Sequence, residues 1–391
     1  MNPDTSFTDV PTAISEIRSG KMVIVVDDEA RENEGDLTLA AEKVTPEAIN
    51  FMAKYGRGLI CLAMTEERLD HLRLGPMSSE NTSNYGTAFC EAIDARDGVT
   101  TGISAYDRAR TIQVAIDSAT RPADLARPGH VFPLRARKGG VLVRAGQTEA
   151  AVDLARLAGL IPAGIICEIM RDDGTMARVP DLIDFCRTHH LKMLTVAELI
   201  RYRLQNERYV HRTGEAMVTT RYGDFRLIAY ESEIDGGESH IALVYGDVAT
   251  AEISPDLPVM VRMHAHCLVG DVFGSTNCDC QPTLNASMRA IAREGRGALI
   301  YLHQSSKGFS VEDVGDRTAL SFHKDRSPST AEAERETQRE IGIGAQILSD
   351  LNLRRIRLLT NHRRRVAALE GFGILIVEHV PVELESSKTA I

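Results

Sequence analysis

A chain of 391 residues is long enough for two ordinary domains, each with its own hydrophobic core. Its 43% hydrophobic and 26% charged residues are typical of a globular protein, and its formal net charge of -10 argues against coating nucleic acid or anionic membranes. No run approaches the roughly 20 apolar residues of a membrane span, and the first residues lack a secretory pattern. We therefore expect a cytoplasmic protein without membrane or nucleic-acid partners.

The N-terminal half alternates short apolar runs with helical stretches, which predicts mixed α and β structure. The run "MVIVV" predicts a strand that ends at the acidic stretch "DDEARENEGD" (27–36). Further strands are predicted at "RGLICLAM", "GGVLVRAG" and "AGIICEIM", and a helix at "TEAAVDLARLAGL".

The polar segment 201–215 has no apolar stripe, which predicts the end of a helix and then a linker. A second alternating pattern follows it, with strands predicted at "FRLIAYES", "HIALVYGD", "VMVRMHAH", "GALIYLHQ", "RRIRLLTN" and "FGILIVEHV", and helices at "LNASMRAIAREG" and "RRRVAALEG". Residues 311–340 lack a clear stripe over much of their length and are interpreted as a mobile excursion. The predicted class is α/β and α+β, with two domains that are each a mixed sheet with flanking helices. The first spans 1–205, a linker 206–218, and the second 219–391.

The acidic stretch contains six carboxylates and one arginine and directly follows a predicted buried strand in the sequence. Three interpretations stay open for it. It is a solvated loop, as most charge runs are; or it caps a helix; or it binds a hard cation such as Mg²⁺, which prefers oxygen ligands and needs only one or two carboxylates.

Four further stretches carry polar chemistry. "NTSNYGT" and "GVTTGISAYDR" are dense in hydroxyls and glycine, and "RPGHVFPL" fixes His130 between a turn and an apolar run. In "RAGQTEA", Arg144 precedes backbone amides and the Thr148 hydroxyl at an apparent helix start, which is a ready anion site. Together these stretches would hold a phosphorylated polyol.

With "CE" and "DDGTMAR", these motifs run in an order that resembles 3,4-dihydroxy-2-butanone 4-phosphate synthase over about residues 9–205. The resemblance implies a Mg²⁺- or Mn²⁺-dependent lyase that converts D-ribulose 5-phosphate to 3,4-dihydroxy-2-butanone 4-phosphate and formate in riboflavin biosynthesis, and a homodimer. It implies that His130 and Glu168 are the acid/base groups and that Glu32 binds the metal. The implied substrate-binding residues are Arg31, Glu32, Asp36, Arg144, Ala145, Gly146, Gln147, Thr148 and Glu168.

This chemistry explains the residue types. Removing a proton next to a carbonyl leaves negative charge that a divalent cation stabilises, and the proton shuttle needs groups with tunable pKa, such as histidine and a half-buried glutamate. One position departs from the family, which has its second metal ligand, a histidine, where this chain has Gln147. An amide oxygen is a weaker donor than imidazole for many metals but is acceptable to a hard cation.

Three cysteines in the C-terminal half, Cys267, Cys278 and Cys280, form a C-x10-C-x-C pattern. Three thiolates with one open position match a catalytic zinc site, whereas a fourth ligand from His264 or His266 would make the site structural. The other four cysteines are scattered among apolar neighbours, where reduced thiols are expected.

Residues 219–383 resemble GTP cyclohydrolase II through "ALVYGD", "VRMHAHCLVGDVFGSTNCDC", "EGRGALIYLHQ" and "RRIRLLTN". The resemblance implies that the three cysteines bind Zn²⁺. Departures stand at Ser305, Lys307 and Thr337, where the family has a glutamate, a phosphate-gripping arginine and a catalytic aspartate. We therefore expect that GTP hydrolysis is lost while the zinc scaffold survives. A residual nucleotide site is expected at Arg262, Arg339, Thr360 and Arg365.

The leading hypothesis is thus a riboflavin-pathway lyase with a degenerate cyclohydrolase-like domain. One alternative is a pseudoenzyme or regulatory nucleotide-binding partner, which Gln147, Thr337 and Ser305 favour. Retention of His130 and Glu168 argues against it, because a binding module needs no acid/base pair. A diverged lyase that acts on a different sugar phosphate and a fully bifunctional enzyme are two further hypotheses.

Overall fold

The computed structural model describes residues 6–27, 31–83, 86–233, 239–248, 257–303, 309–314, 317–322, 331–361, 369 and 373–384, with the backbone alone at 309–314, 317–322 and 331–339. The chain divides into two compact units, Met1–Arg203 and Leu204–Ile391. Each contains a seven-stranded mixed sheet with flanking helices. The predicted fold class is confirmed.

The first unit is built around a sheet of strand order β4-β5-β3-β6-β2-β1-β7. The strands are β1 (Val23–Val26), β2 (Gly35–Ala40), β3 (Cys61–Met64), β4 (Ile93–Ala95), β5 (Leu125–Arg135), β6 (Ala163–Glu168) and β7 (Lys192–Thr195). The helices are α1 (Val10–Arg18), α2 (Pro46–Phe51), α3 (Glu66–His71), α4 (Ala105–Ile116), α5 (Gln147–Leu157), α6 (Val179–His189) and α7 (Val196–Asn206). Pairs β3–β5 and β1–β7 are parallel, and the other neighbours are antiparallel.

Helix α5 packs closely on the sheet because Gly164 in β6 has no side chain. A Cβ on Gly164 would lie 2.6 Å from the Cβ of Ala151, so a larger residue would push the helix away. The close contact buries the first turn of α5, including Gln147, Thr148 and Glu149. The fold thereby fixes these polar groups against the strands that carry the acidic stretch.

The second unit has a sheet of order β16-β15-β11-β12-β10-β9-β8. Its strands are β8 (Val210–Thr220), β9 (Gly223–Ser232), β10 (Ser239–Tyr245), β11 (Val259–Ala265), β12 (Gly297–Leu302), β15 (Arg355–Leu359) and β16 (Leu375–Val380). A separate hairpin is formed by β13 (Phe309–Val314) and β14 (Arg317–Phe322), and the helices are α8 (Cys280–Glu294) and α9 (Ala331–Asp350). Strands β16, β15, β11 and β12 run parallel, so their C-terminal ends share one edge.

The structure differs from the sequence predictions in three segments. The run "GGVLVRAG" is a buried helical turn at Gly140–Leu142, because Gly139 and Gly140 have positive φ and turn the chain. Residues 210–218 of the predicted linker belong to β8, whose outward side chains give no apolar stripe. Within 311–340, interpreted as an excursion, residues 311–314 and 317–322 belong to the β13–β14 hairpin and residues 331–340 to the first half of α9. The helix predicted at "RRRVAALEG" lies almost wholly outside the described residues.

Within the described ranges, every helix is too short or too polar to cross a membrane.

Candidate active sites

Asp27, directly after β1, organises the acidic stretch. Its side chain is fully buried and accepts hydrogen bonds from Arg31 Nη1 at 2.7 Å and from the backbone amides of Glu32 at 3.1 Å and Glu34 at 3.0 Å. From another side, Arg178 Nη1 donates to the Glu32 carbonyl at 2.8 Å. The loop is therefore held by buried polar contacts, and sequence reasoning had assigned no role to Asp27 or Arg178.

The Arg31 guanidinium lies between the two predicted metal ligands. Its Nη2 is 3.0 Å from Oε1 of Glu32, and its Nη1 donates to Oε1 of Gln147 at 3.0 Å. The Arg31 side chain is 11% exposed, so these contacts are shielded from water. Arg31 therefore compensates part of the negative charge that the acidic stretch concentrates.

A second guanidinium converges on the same place. A Cβ on Gly146 would lie 2.6 Å from Nη1 of Arg144 and 3.2 Å from Nη2 of Arg31. Arg144 is fixed by an ion pair with buried Glu149 at 2.7 Å. Gly146 is also the N-cap of α5, where no side chain caps the helix. Two cations and a helix N-terminus therefore favour an anion at this point, such as a phosphate.

Asp36 and Glu168 pair directly across strands β2 and β6. Burial raises the pKa of both carboxyls; neighbouring carboxylates add to the shift at Asp36, whereas backbone hydrogen bonds oppose it at Glu168. Glu168 also accepts a hydrogen bond from the Leu59 amide at 2.8 Å. Burial, and then the charges of Glu168 and Asp36, raise the pKa of the Cys61 thiol. Cys61 is therefore a neighbour of the site that the sequence did not reveal.

His130 is held by a partner that the sequence analysis did not identify. Its Nδ1 lies 2.8 Å from Oδ2 of Asp94, and its backbone amide donates to Oδ1 of the same residue at 3.0 Å. The His130 side chain is 41% exposed. The imidazole is thus anchored on one side and open to solvent on the other.

The sheet register relates His130 to Glu168. Cys61 in β3 pairs with Phe132 in β5 on one side and with Ile166 in β6 on the other. His130 lies two residues before Phe132, and Glu168 lies two residues after Ile166. Both residues therefore lie at the same end of the sheet with β3 between them. Of the predicted site residues, Arg31, Glu32, Gln147, Gly146 and Arg144 form one group, Asp36 and Glu168 a second, and His130 stands with Asp94. The half-buried Ala145 and the buried Thr148 flank the first group.

The donors of the first unit fit a divalent cation. Glu32 and Gln147 offer hard oxygen atoms, the type that Mg²⁺ prefers. Burial and then the nearby carboxylate of Glu32 raise the pKa of Glu34, although Arg178 opposes the shift.

In the second unit, the three predicted cysteines meet. The Sγ atoms of Cys267, Cys278 and Cys280 lie within 4.8 Å of one another, and among the described residues they are the one group of three or more potential metal ligands. His264 and His266 do not join them, since His264 Nε2 contacts Asp271 at 3.0 Å and His266 Nδ1 contacts the Tyr301 hydroxyl at 2.7 Å.

Gly270 makes room for this group. A Cβ there would lie 2.5 Å from Sγ of Cys278 and 3.0 Å from Sγ of Cys267, and the Gly270 amide donates to Cys267 Sγ at 3.3 Å. Three sulfur ligands that converge in this way fit a zinc ion with one open position.

Asp271 supports the cysteine group from behind. Its buried carboxylate accepts from the Cys267 amide at 2.9 Å and the Tyr301 hydroxyl at 2.8 Å, and it contacts His264. Although burial opposes it, hydrogen bonding and charge interaction with His264 lower the pKa of Asp271. The aspartate is therefore a charged link between the Cys267 loop and strands β11 and β12.

The predicted nucleotide residues lie partly within the described ranges. Arg262, in β11, is half-buried and donates to the Leu359 carbonyl at 3.0 Å, and partial burial lowers its pKa. Thr360 directly follows β15, at the sheet edge where parallel strands end, a usual place for ligands. Arg339 lies in α9 at a position whose side chain is not described, as does Thr337, and Arg365, Ser305 and Lys307 lie outside the described residues.

Comparisons with known proteins identify the families of the two halves. The family model for 3,4-dihydroxy-2-butanone 4-phosphate synthase matches residues 11–202, and that for GTP cyclohydrolase II matches residues 211–381. A riboflavin biosynthesis protein RibBA from Aquifex aeolicus is 54% identical over 97% of this chain and 93% of the relative. The protein of that name from Bacillus subtilis is 48% identical over 98% of this chain and 95% of the relative.

Two solved structures are similar as well. The two-domain 3,4-dihydroxy-2-butanone 4-phosphate synthase RibBX from A. baumannii is 40% identical, with a TM-score of 0.74 over 95% of this chain and 99% of that chain. A 3,4-dihydroxy-2-butanone 4-phosphate synthase in complex with two magnesium ions is 40% identical, with a TM-score of 0.50 over 51% of this chain and 98% of that chain.

The two units are therefore a synthase domain and a cyclohydrolase domain of riboflavin biosynthesis. The chain as a whole belongs to the RibBA family of riboflavin biosynthesis proteins.

This result corrects one expectation. The sequence analysis expected GTP hydrolysis to be lost, and that was wrong: the cyclohydrolase family model matches the second half, and RibBA relatives align along both halves. That expectation rested on single substitutions at Ser305, Lys307 and Thr337. The cysteine group and the sheet that carries it are nevertheless intact.

Proposed function

We propose that the protein catalyses two reactions of riboflavin biosynthesis. The first unit converts D-ribulose 5-phosphate to 3,4-dihydroxy-2-butanone 4-phosphate and formate with Mg²⁺ or Mn²⁺, and the second hydrolyses GTP with Zn²⁺. The observation that carries the proposal is the convergence of Arg31, Arg144 and the N-terminus of α5 beside an acidic stretch. A phosphorylated substrate needs the first feature and a divalent cation the second.

In the lyase unit, Arg144, Gly146 and Thr148 bind the phosphate end of the sugar, since cations and helix amides converge there. Arg31 orients the substrate while Asp27 and Gln147 fix its guanidinium. Glu32, with Gln147, would hold the divalent cation, which when bound polarises a carbonyl as a Lewis acid.

Two groups then move protons at the sheet end. Glu168 has a pKa raised by burial, which brings it closer to the range where a carboxyl both gives and takes a proton near neutral pH. His130 faces solvent with Nε2 and acts as the second acid/base group. Asp36, opposite Glu168 in the sheet, contacts the substrate.

In the cyclohydrolase unit, Cys267, Cys278 and Cys280 would hold Zn²⁺, which when bound activates water for hydrolysis. Thr360 directly follows β15, Arg262 lies in the middle of β11 and donates to the Leu359 carbonyl, and both would bind phosphate oxygens. Arg339 and Arg365 are proposed to complete the nucleotide site.

The test uses the full chain with both substrates. Purified protein with Mg²⁺ is given ribulose 5-phosphate and formate is assayed; a second sample is given GTP, whose consumption is followed by chromatography. We expect turnover of both. His130→Gln should abolish formate from ribulose 5-phosphate and leave GTP turnover intact, and Cys280→Ser should do the reverse.

These two variants control for each other, because each alters one unit and leaves the other as an internal measure of folding. Failure of the wild type with ribulose 5-phosphate in the presence of Mg²⁺ or Mn²⁺ would refute the lyase assignment, and failure with GTP in the presence of Zn²⁺ would refute the cyclohydrolase assignment.

A further inference from the structure

Asp94 holds His130 at two points. The backbone amide of His130 donates to Oδ1 of Asp94 at 3.0 Å, which fixes the carboxylate relative to strand β5. The other oxygen, Oδ2, then lies 2.8 Å from Nδ1 of the same histidine. Among the described residues, Nε2 has no hydrogen-bond partner, and 41% of the side chain is exposed. The ring is therefore anchored by one nitrogen only.

The loop before α4 closes over this pair. Gly102 approaches so closely that a Cβ would lie 2.1 Å from Oδ2 of Asp94 and 2.6 Å from Nδ1 of His130. Asp107 holds the loop there, because it accepts from the amides of Gly102 and Thr100, each at 3.1 Å, and from the Thr100 hydroxyl at 2.7 Å. The Asp94–His130 contact is thus enclosed by backbone.

We propose that Asp94 is a positioning residue that keeps the proton of neutral His130 on Nδ1 and so presents Nε2 as a proton acceptor. A carboxylate accepts only, so the nitrogen facing it must carry the proton. The enclosure by Gly102 keeps water from replacing the carboxylate. This inference rests on the proposed lyase function, in which His130 exchanges protons with the sugar.

The proton balance is simple. The bond between hydrogen and a carbon next to the sugar's ketone breaks, the proton goes to Nε2, and the electron pair moves towards the carbonyl oxygen. The ring is then protonated on both nitrogens, and the negative charge of Asp94 stabilises that cation. When Nε2 returns the proton, the Nδ1–H tautomer is restored.

The tautomer can be observed directly by NMR of ¹⁵N-labelled full-length protein at about pH 8, where histidine is mostly neutral. The His130 signals are identified by their loss in His130→Gln. We expect the Nδ1–H form in the wild type, and a mixture or the Nε2–H form in Asp94→Asn and in Gly102→Ala. Asp184→Asn, a matched loss of charge at an exposed site on α6, should leave the spectrum unchanged. An Nε2–H wild type, or an unchanged tautomer in Asp94→Asn, would overturn the proposal.

Kinetics supply the second readout. Asp94→Asn should lower kcat for formate release by on the order of 10²- to 10⁴-fold with little change in KM, because it disturbs the proton acceptor and not the phosphate contacts. Asp94→Glu should restore part of the rate. An unchanged kcat in Asp94→Asn would refute the positioning role. If the wild type released no formate, the lyase assignment would be refuted, and the NMR measurement of the tautomer alone would decide the role of Asp94.

Discussion

Asp36 and Glu168 lie opposite each other on neighbouring strands, and burial raises the pKa of both. Each carboxyl is next to a group that repels its charge, so the pair favours binding a proton or a cation. The arrangement costs stability when both carboxyls are ionised, and it favours positive charge at this end of the sheet. The pair therefore links the folding of the first unit to pH.

The first prediction concerns Asp36→Asn. A carboxyl whose pKa is raised on folding stabilises the protein below its ordinary pKa, and this contribution is lost as pH rises through the raised value. The contribution of Asp36 to the unfolding free energy should therefore fall as pH rises above about 4, so the unfolding free energy of Asp36→Asn should rise relative to that of the wild type over this range. Urea unfolding at several pH values, with a chelator present, measures both slopes. Asp184→Asn should keep the wild-type slope; an equal slope in Asp36→Asn would contradict the argument.

The second prediction is that Gln147→Leu raises the KM for ribulose 5-phosphate about tenfold and also lowers kcat, because Gln147 both fixes Arg31 and would help to hold the cation. Leucine removes the oxygen that accepts from Arg31, so the guanidinium loses a fixed partner beside the anion site. Formate release measures both constants. Gln113→Leu, on the exposed side of α4, is the matched control. A KM equal to that of the control would show that Gln147 does not orient Arg31.

The third prediction concerns Gly270→Ala. The added Cβ would meet two cysteine sulfurs, at 2.5 and 3.0 Å, and should abolish zinc binding and GTP turnover while formate release continues. Gly214→Ala, where a Cβ meets nothing within 4 Å, should retain both. Zinc content by mass spectrometry of the metal is the measurement. Full zinc occupancy in Gly270→Ala would count against the three-cysteine site.

The fourth prediction is that Asp271→Asn weakens zinc binding about 10- to 100-fold, as is typical when a residue behind a ligand is changed. The substitution removes the charge that holds the Cys267 amide, His264 and Tyr301 together. Competition with a chromophoric chelator gives the affinity. Asp247→Asn, an exposed position of the same unit, should match the wild type. If both variants release zinc at the same chelator concentration, Asp271 has no role at the site.

The fifth prediction concerns Asp350, at the end of α9, which accepts from Arg208 at 2.7 Å, Arg212 at 2.9 Å and the Tyr230 hydroxyl at 2.9 Å. Burial would raise its pKa, but hydrogen bonds from Tyr230 and Arg212 outweigh it and lower the pKa. Asp350→Asn should therefore lower the unfolding free energy of the second unit by about 1–3 kcal/mol at neutral pH.

This loss should shrink as pH falls through the lowered pKa, because the wild-type contribution disappears there. Denaturation followed at pH about 7 and about 3 tests both statements. Asp247→Asn serves again as the matched loss of charge. A loss that grows on acidification would contradict the assignment of Asp350 as an ionised acceptor.

The sequence predicted the buried strands well, because about four to eight apolar residues in a row have few alternatives to a sheet. β1, β3, β6 and β9 to β12 all fall on predicted runs. It failed at Gly140–Leu142, where two glycines turn an apolar run into a helical turn, and at β8, whose exposed side chains hide a strand fixed by backbone pairing. The cysteine group could be predicted because its three members are close together in the sequence.

Supporting residues were harder to find. Asp94 lies 36 positions from His130, and a single aspartate in a short strand has no pattern that would reveal its partner. Asp27, within a charge run, and Asp271, between apolar residues, are equally inconspicuous. The homodimer and the cytoplasmic location stay predictions from the resemblance and the composition.

Strand β8 ends the second sheet and pairs along its length with β9 alone within the described sheet. An edge strand exposes unpaired backbone amides and carbonyls that can pair with an extended segment of another chain, and such pairing can lead to fibrils. Here it carries His211, Arg212 and Glu215, whose charge and hydration make stacking of a second strand unfavourable. The polar side chains that concealed β8 from pattern analysis thus also protect the protein against misassembly.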